Sequence, residues 1–205
     1  MQISNIEYEL KKVSQMPKWG RKQSDDWDKL SCFVYDFPTF EKLQEKLKSL
    51  NLSQEFNDYT LHRWFNTLSA DGVEKIFADN PQVVKNTVRQ DKLVDFTIQG
   101  ISFDHKTTVF PRGFGKDIYY AKQNPRELIE WLYTEQSRQG RFHTANRLFI
   151  VLHSADSQHW KLRAELTLLK PIISQYIQEF DVHKLHRFSF EKNKETLADI
   201  IWFCK

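Results

Sequence analysis

The apolar side chains of this chain first change their period after Pro81, and that change limits the folds that the chain can adopt. Before Pro81 they recur at helical spacing, whereas residues 94–98 and 101–104 alternate between apolar and polar side chains. Gln99 and Gly100 separate the two alternating segments, which predicts a β-hairpin with a two-residue turn. Helices followed by a hairpin indicate a mixed α/β chain rather than an all-helical one.

The first half of the chain predicts two helices. Apolar spacing favours one helix over residues 39–50 and a second over residues 61–77, with Asn57 or Asp58 as its cap and a bend near Gly72. The first 30 residues are polar and irregular. We therefore interpret residues 1–38 as an N-terminal arm or extension, and residues 39–205 as a single domain.

The second half alternates between helices and strands. Asn124 is expected to cap a helix that begins at Pro125, with Glu127 completing a capping box. A buried strand over residues 148–152 follows, and then a helical stretch over residues 162–176 that Pro171 kinks or divides. Further strands are expected at residues 185–190 and 198–204. This order predicts an α/β fold with a central mixed β-sheet flanked by helices.

Composition excludes several classes of protein. Of the 205 residues, 40% are hydrophobic and 14% aromatic, which is enough for a packed core. The chain has no apolar run of the roughly 20 residues that a membrane helix needs, and its first residues lack the apolar segment of a signal peptide. Cys32 and Cys204 make no disulfide framework. We expect a cytoplasmic protein without a membrane partner.

The distribution of charge says more than the total. The net charge is only +3, but residues 105–147 contain eight basic and four acidic side chains. A local excess of this kind favours a polyanion as partner, although an ordinary solvated surface gives the same count.

The predicted hairpin brings charged side chains together. A turn at Gln99 and Gly100 places Asp95 opposite Asp104 on the polar face, with Lys106 two residues further along. Directly opposed carboxylates repel each other, so the pair needs a compensating charge. A bound divalent cation would supply the compensating positive charge, and the Lys106 ammonium would supply part of it. The alternative interpretation is a solvent-exposed polar face on which these charged residues occur by chance.

Asp95, followed on the next strand by Asp104-His105-Lys106, resembles the motif of the PD-(D/E)xK nuclease superfamily, which has the restriction-endonuclease-like fold. The family core is a helix, a hairpin or meander that carries the motif, a crossover helix and another strand. The order predicted over residues 61–152 is similar to it. Val94 stands where the family has its name-giving proline. Glu74 matches the acidic residue that the family often carries on the preceding helix.

The resemblance implies a metal-dependent nuclease that hydrolyses phosphodiester bonds, with DNA as the expected substrate. Asp95, Asp104, Lys106 and Glu74 would be its catalytic residues. Asp95, Asp104 and the backbone carbonyl of His105 would hold Mg²⁺, for which Mn²⁺ can substitute. The phosphate backbone would be contacted by four basic residues: Arg112, Lys116, Lys122 and Arg126.

Other interpretations remain open at this stage. The same fold can serve as a catalytically inactive module that binds nucleic acid or a protein. His153, His159, His183 and His186 suggest a zinc site, but their spacing matches no common ligand set. No phosphate-binding loop of the P-loop type is present. The segment of residues 1–36 could pair two copies of the chain, or contact nucleic acid through Lys18, Arg21 and Lys22.

Overall fold

A computed structural model describes residues 1–17, 26–88, 93–135 and 144–205, so Lys18, Arg21 and Lys22 lie outside the described residues. Within these ranges the helices are α1 (Ile3–Lys11), α2 (Asp26–Leu30), α3 (Phe40–Leu50), α4 (Gln54–Ala78), α5 (Ile118–Gln123), α6 (Pro125–Thr134) and α7 (Leu166–Gln178). The strands are β1 (Val83–Lys85), β2 (Phe96–Ile98), β3 (Ile101–Val109), β4 (Arg147–His153), β5 (His186–Glu191) and β6 (Lys194–Cys204). None of the described helices is long and apolar enough to cross a membrane.

The strands form one six-stranded mixed sheet in the order β1-β2-β3-β4-β6-β5. β1, β2 and β3 are an antiparallel meander, β3, β4 and β6 run parallel, and β5 is antiparallel to β6. The predicted α/β class with a central mixed sheet is therefore confirmed.

The hairpin of β2 and β3 has the predicted register. Phe96 pairs with Phe103, and Ile98 pairs with Ile101. Gln99 and Gly100 have φ values of 48° and 82°, the left-handed conformation that a tight two-residue hairpin turn requires at both positions.

The chain divides into two compact units, and α4 passes from the first to the second. The first unit comprises residues 1–73 and 163–167, so the predicted boundary at residue 38 falls inside it. Within the segment that we interpreted as an arm or extension, residues 3–11 form α1. Ile3, Ile6 and Leu10 are buried on one face of that helix. The Glu9 carboxylate accepts the backbone N–H of Phe40, the first residue of α3, at 2.8 Å.

Helix α4 is longer than the sequence predicted and is continuous from Gln54 to Ala78. It begins at Gln54, where the Ser53 hydroxyl accepts the Phe56 N–H at 3.3 Å, so Asn57 and Asp58 lie inside the helix and do not cap it. Gly72 does not interrupt the helix. A Cβ at this position would lie 2.5 Å from Cδ1 of Leu166, so the glycine is explained by close packing within the first unit rather than by a bend.

The second unit comprises residues 74–162 and 168–205 and holds the whole sheet. One face of the sheet packs against α6 through Phe149, Val151 and Ile200. The other face carries Phe96 and Phe103, which contact Phe77 of α4 and Phe180 respectively. Helices therefore cover the sheet on both sides, as its largely apolar central strand β4 requires.

Several local predictions for the second unit were incomplete or wrong. Strand β1 and helix α5 were not predicted, and residues 159–164 form a 3₁₀ helix rather than the start of α7. Pro171 lies within α7 without dividing it. Asn124 precedes α6 but its side chain does not cap that helix. It donates to the Tyr120 carbonyl at 3.0 Å instead, because α5 ends immediately before it.

Candidate metal and nucleic-acid site

Asp95 lies at the end of the hairpin but is not the ladder partner of Asp104. The register ends at Phe96 and Phe103, and the Asp95 N–H donates to the Phe103 carbonyl at 2.8 Å. The predicted opposed pair is therefore wrong in its pairing, because Asp95 lies directly before the first ladder pair and its N–H bonds to the carbonyl of Phe103. The polar face of the hairpin itself is confirmed by the 3.2 Å contact between the hydroxyls of Thr97 and Ser102.

The Asp95 carboxylate is bound by His105. Its Oδ2 accepts both the backbone N–H of His105 and a hydrogen bond from Nδ1 of the ring, each at 2.7 Å. The His105 side chain is only 5% exposed and contacts the rings of Phe77 and Phe96. His105 was expected to contribute only its backbone carbonyl, but its imidazole is also part of the site.

The two groups stabilise each other's charge. Burial opposes ionisation of Asp95, but the hydrogen bonds and charge of His105, with a hydrogen bond from Asp104, lower the pKa of Asp95. Burial also opposes protonation of His105. The hydrogen bond and charge of Asp95, with smaller contributions from Asp104 and Glu74, nevertheless raise the pKa of the imidazole.

Asp104 has a different partner. Nε and one terminal nitrogen of Arg147 both contact its Oδ2 at 2.6 Å, and the Arg147 side chain is only 4% exposed. The two residues are register partners on the parallel strands β3 and β4. Burial and the Asp95 carboxylate raise the pKa of Asp104 to about 6, although the Arg147 guanidinium acts in the opposite direction.

The guanidinium of Arg147 is held in place by aromatic rings. It lies 5.4 Å from the ring centre of Tyr133 on α6 and 5.6 Å from that of Phe149 on β4. Sequence reasoning counted Arg147 only as one of eight basic residues. Arg147 directly precedes the apolar residues of β4 in the sequence. A charged residue at the start of a buried strand needs a partner of opposite charge, so this position could have indicated that Arg147 forms an ion pair.

Glu74 joins Asp95 and His105 from α4. One ligand-type atom from each of the three side chains lies within 4.8 Å of the others, and no other such group of three occurs in the described ranges. A cleft of about 410 Å³ opens beside them, lined by Glu74, Asp95 and five further residues: Lys85, Asn86, Thr87, Val88 and Val94. The Lys85 ammonium lies 3.5 Å from the Glu74 carboxylate and was not identified from the sequence.

Lys106 lies on the opposite face of β3 from His105. Side chains alternate along a strand, so Lys106 shares the α6 face with Asp104, whereas His105 faces α4. Lys106 is half-buried and pairs in register with Phe149. Asp95, directly before β2, contacts both His105 and Asp104 and so connects the two groups of predicted catalytic residues.

The donor set fits a divalent cation. Two carboxylates and an imidazole within 4.8 Å can share one ion, and the adjoining cleft gives access. A nitrogen ligand favours Mn²⁺ or another transition metal over Mg²⁺, which prefers oxygen ligands. Asp104, which was also predicted to hold the metal, is not in this group of three, and its Oδ2 is bound by Arg147.

The four predicted phosphate contacts lie away from this cluster. Arg112 follows β3, whose last residue, Val109, lies five steps along the strand from Asp104, about 17 Å. The side-chain cations of Lys116 and Lys122 lie over the rings of Tyr120 and Trp202, at 5.2 and 5.9 Å. Arg126 lies 4.4 Å from the Phe188 ring and donates to the Arg187 carbonyl at 2.8 Å.

The four histidines that suggested a zinc site do not form a cluster of metal ligands within the described residues. His153 and His159 have ring centres 5.0 Å apart, but within the described residues they are not part of a group of three ligand-type side chains.

Comparison with known proteins identifies no relative of this chain. A scan against models of protein families, a search of curated proteins and a search of solved structures each find no match to this chain.

Proposed function

We propose that this protein is a metal-dependent nuclease that hydrolyses phosphodiester bonds, with DNA as its substrate. The observation that carries the proposal is the convergence of Glu74, Asp95 and His105 beside an open cleft, with Asp104 in contact with Asp95. Helix α4 supplies Glu74 and the hairpin supplies the other residues, so elements distant in sequence contribute to one acidic site.

The order of elements supports the same proposal. Helix α4, the meander β1-β2-β3, helices α5 and α6, and then β4 parallel to β3 correspond to the helix, meander, crossover helix and strand of the restriction-endonuclease-like core. The motif residues lie on the hairpin of that meander, where the resemblance expects them.

In this proposal Glu74, Asp95 and His105 would hold the metal. A divalent ion in such a site lowers the pKa of bound water and neutralises charge on the leaving oxygen. Asp104, oriented by Arg147, accepts hydrogen bonds at the edge of the site. Lys106 shares the α6 face of β3 with Asp104, and its assignment to orienting the attacking water rests on the resemblance rather than on a contact with the three metal-type ligands.

A second function is favoured by one specific observation. Each motif carboxylate already has a cation from the chain itself, because His105 pairs with Asp95 and Arg147 pairs with Asp104. Paired charges of this kind need no metal to offset their repulsion. The second candidate is therefore a nuclease-like module that binds nucleic acid or a protein without cleaving it.

Cleavage of supercoiled plasmid and of single-stranded DNA with Mg²⁺ or Mn²⁺ separates the two candidates. We expect metal-dependent cleavage by the wild type, reduced at least about a hundredfold by Lys106→Gln and by Asp95→Asn. Lys192→Gln is the matched control, since it removes one exposed lysine on the β5–β6 turn. Equal cleavage by the wild type and both site variants would show that the activity arises elsewhere. Absence of cleavage with either metal would favour the binding module.

A further inference from the structure

A second cleft lies at the other end of the sheet from the acidic site. It has a volume of about 270 Å³ and lies at the carboxyl ends of two neighbouring parallel strands. It is lined by the last residue of β3, Val109, by Phe110, Pro111 and Arg112 after it, and by Ser157, His159 and Trp160 after β4. The proposed nuclease chemistry uses none of these residues at the acidic cluster. The cleft is therefore a separate candidate for ligand binding.

The topology of the sheet explains why a cleft forms here. After β3 the chain continues to α5 and α6, whose side chains pack on the face that carries Phe149 and Val151. After β4 it continues towards α7, where Tyr176 donates to Asp199 at 2.9 Å on the opposite face. Neighbouring parallel strands whose connections leave to opposite faces open a crevice at their carboxyl ends, which is where α/β sheets commonly bind ligands.

His159 presents a hydrogen-bond donor in this cleft. Its Nδ1 accepts the backbone N–H of Ser154 at 2.7 Å. Burial, together with the nearby His153 and Arg112, lowers the pKa of His159 and so favours the neutral ring. A neutral imidazole that accepts at Nδ1 carries its proton on Nε2 and can donate it to a ligand.

The cleft favours an anion. Arg112 is exposed, and its five N–H donors match the geometry of a phosphate group. The lining side chains include no carboxylate. Asp156, next to Ser157 in sequence, is the nearby acid. Its Oδ1 accepts hydrogen bonds from the Ser154 hydroxyl at 2.5 Å and the Gln158 N–H at 2.9 Å.

The remaining wall is apolar and aromatic. Phe110 and Pro111 lie on the β3 side and Trp160 on the β4 side. The Lys161 ammonium lies 5.9 Å from the Trp160 ring, which adds positive charge beside that wall. An aromatic wall next to phosphate-type donors suits a planar ring that carries a phosphate.

We propose that this cleft binds a nucleotide, with the phosphate on Arg112 and Nε2–H of His159 and the base against Trp160. A free mononucleotide and a nucleotide unit within a single strand share this chemistry. The proposal does not rest on nuclease activity, since binding here involves neither the acidic cluster nor a metal.

Isothermal titration calorimetry of the full chain in EDTA tests whether this cleft binds a nucleotide. EDTA removes metal ions, so it prevents metal-dependent cleavage and metal-dependent binding at the acidic cluster. The probes are thymidine monophosphate and a twelve-residue oligothymidylate. Arg112→Gln and Trp160→Leu are each expected to weaken binding about tenfold. Lys192→Gln is the matched control, because the β5–β6 turn lies at the amino ends of the parallel strands, away from the cleft. It is expected to leave binding unchanged.

The outcomes are distinct. Mononucleotide binding that weakens in Arg112→Gln but not in Lys192→Gln supports a free nucleotide as the ligand. The same pattern for the oligothymidylate alone supports a nucleotide within a strand. No binding of either probe by the wild type overturns the proposal. So does an equal loss in Arg112→Gln and Lys192→Gln, which would indicate attraction by overall charge only. Arg112 is exposed, so its variant tests the cleft even if Trp160→Leu fails to fold.

Discussion

At the scale of single residues, Asp104 and Arg147 show how a motif carboxylate is placed. Both are largely removed from water, and their ion pair joins two parallel strands at the same register position. Removing one partner of such a pair typically costs 3–5 kcal/mol, whereas the intact pair adds little net stability. The pair therefore fixes the orientation of Asp104 more than it stabilises the fold.

The raised pKa of Asp104 makes a prediction about pH. Its pKa is about 6 in the folded protein and about 3.9 in an unfolded chain, so the folded state favours the protonated carboxyl. Stability from this group is present below pH 4 and is lost as the pH rises from about 4 to about 6. The loss is about 3 kcal/mol at most. Asp104→Asn cannot ionise and lacks this dependence.

Urea unfolding of both proteins in EDTA at pH 4.5, 5.5 and 7 measures the effect. The free energy of unfolding of the wild type, relative to Asp104→Asn, should fall across this range. Titrating groups that do not contact Asp104 are shared by the two proteins and their contribution cancels, whereas the linked titration of Asp95 and His105 is part of the measured difference. A difference that does not change with pH would mean that Arg147 holds the pKa of Asp104 at or below its ordinary value.

At the scale of elements, the β2–β3 hairpin determines where the motif lies. Its turn uses two left-handed residues, and a Cβ on Gly100 would meet no atom within 4 Å. Substitution of Gly100 therefore tests the backbone conformation alone, without a steric clash.

Gly100→Ala should lower the free energy of unfolding by about 1 kcal/mol, because an L-residue with a Cβ is strained at positive φ. Gly100→Asn should cost clearly less, since asparagine tolerates this conformation. Urea unfolding of the two variants beside the wild type measures the difference. Equal losses for Ala and Asn would contradict a left-handed turn at this position.

At the scale of the whole molecule, the acidic cluster draws on both helix α4 and the hairpin. A cation held by Glu74, Asp95 and His105 binds the folded chain and not the unfolded one, so it should raise the melting temperature. At a metal concentration 100 times the dissociation constant, the stabilisation is about 2.7 kcal/mol, or about 5–10 °C for a chain of this size.

Thermal unfolding in Mn²⁺, Mg²⁺ and EDTA tests this expectation. We expect the melting temperature to rise most in Mn²⁺, because the imidazole is a poor ligand for Mg²⁺, and to return to its starting value in EDTA. Asp95→Asn should abolish the rise, and Lys192→Gln should retain it. An unchanged melting temperature in both metals would favour the second candidate, the nuclease-like module that binds without cleaving.

The sequence by itself determined those features that depend on local pattern. Alternation on both sides of Gln99 and Gly100 was sufficient for the hairpin and its register, since a slip of one residue would expose Phe96 and Phe103. Helical spacing was sufficient for α3 and most of α4. The same local logic failed for β1, which has three residues, and for α5, which has six, because such short elements show too little periodicity.

Only the tertiary structure decided which charges meet. That Asp95 bonds to His105 and is not the ladder partner of Asp104 depends on the backbone directly before β2, which the alternating pattern cannot reveal. The pairing of Asp104 with Arg147, 43 residues further along, depends on the parallel register of β3 and β4. Hydrophobic pattern sets which face of a strand is buried. The partner of a buried charge is set by the strand and helix that pack beside it, and their arrangement is a property of the whole fold.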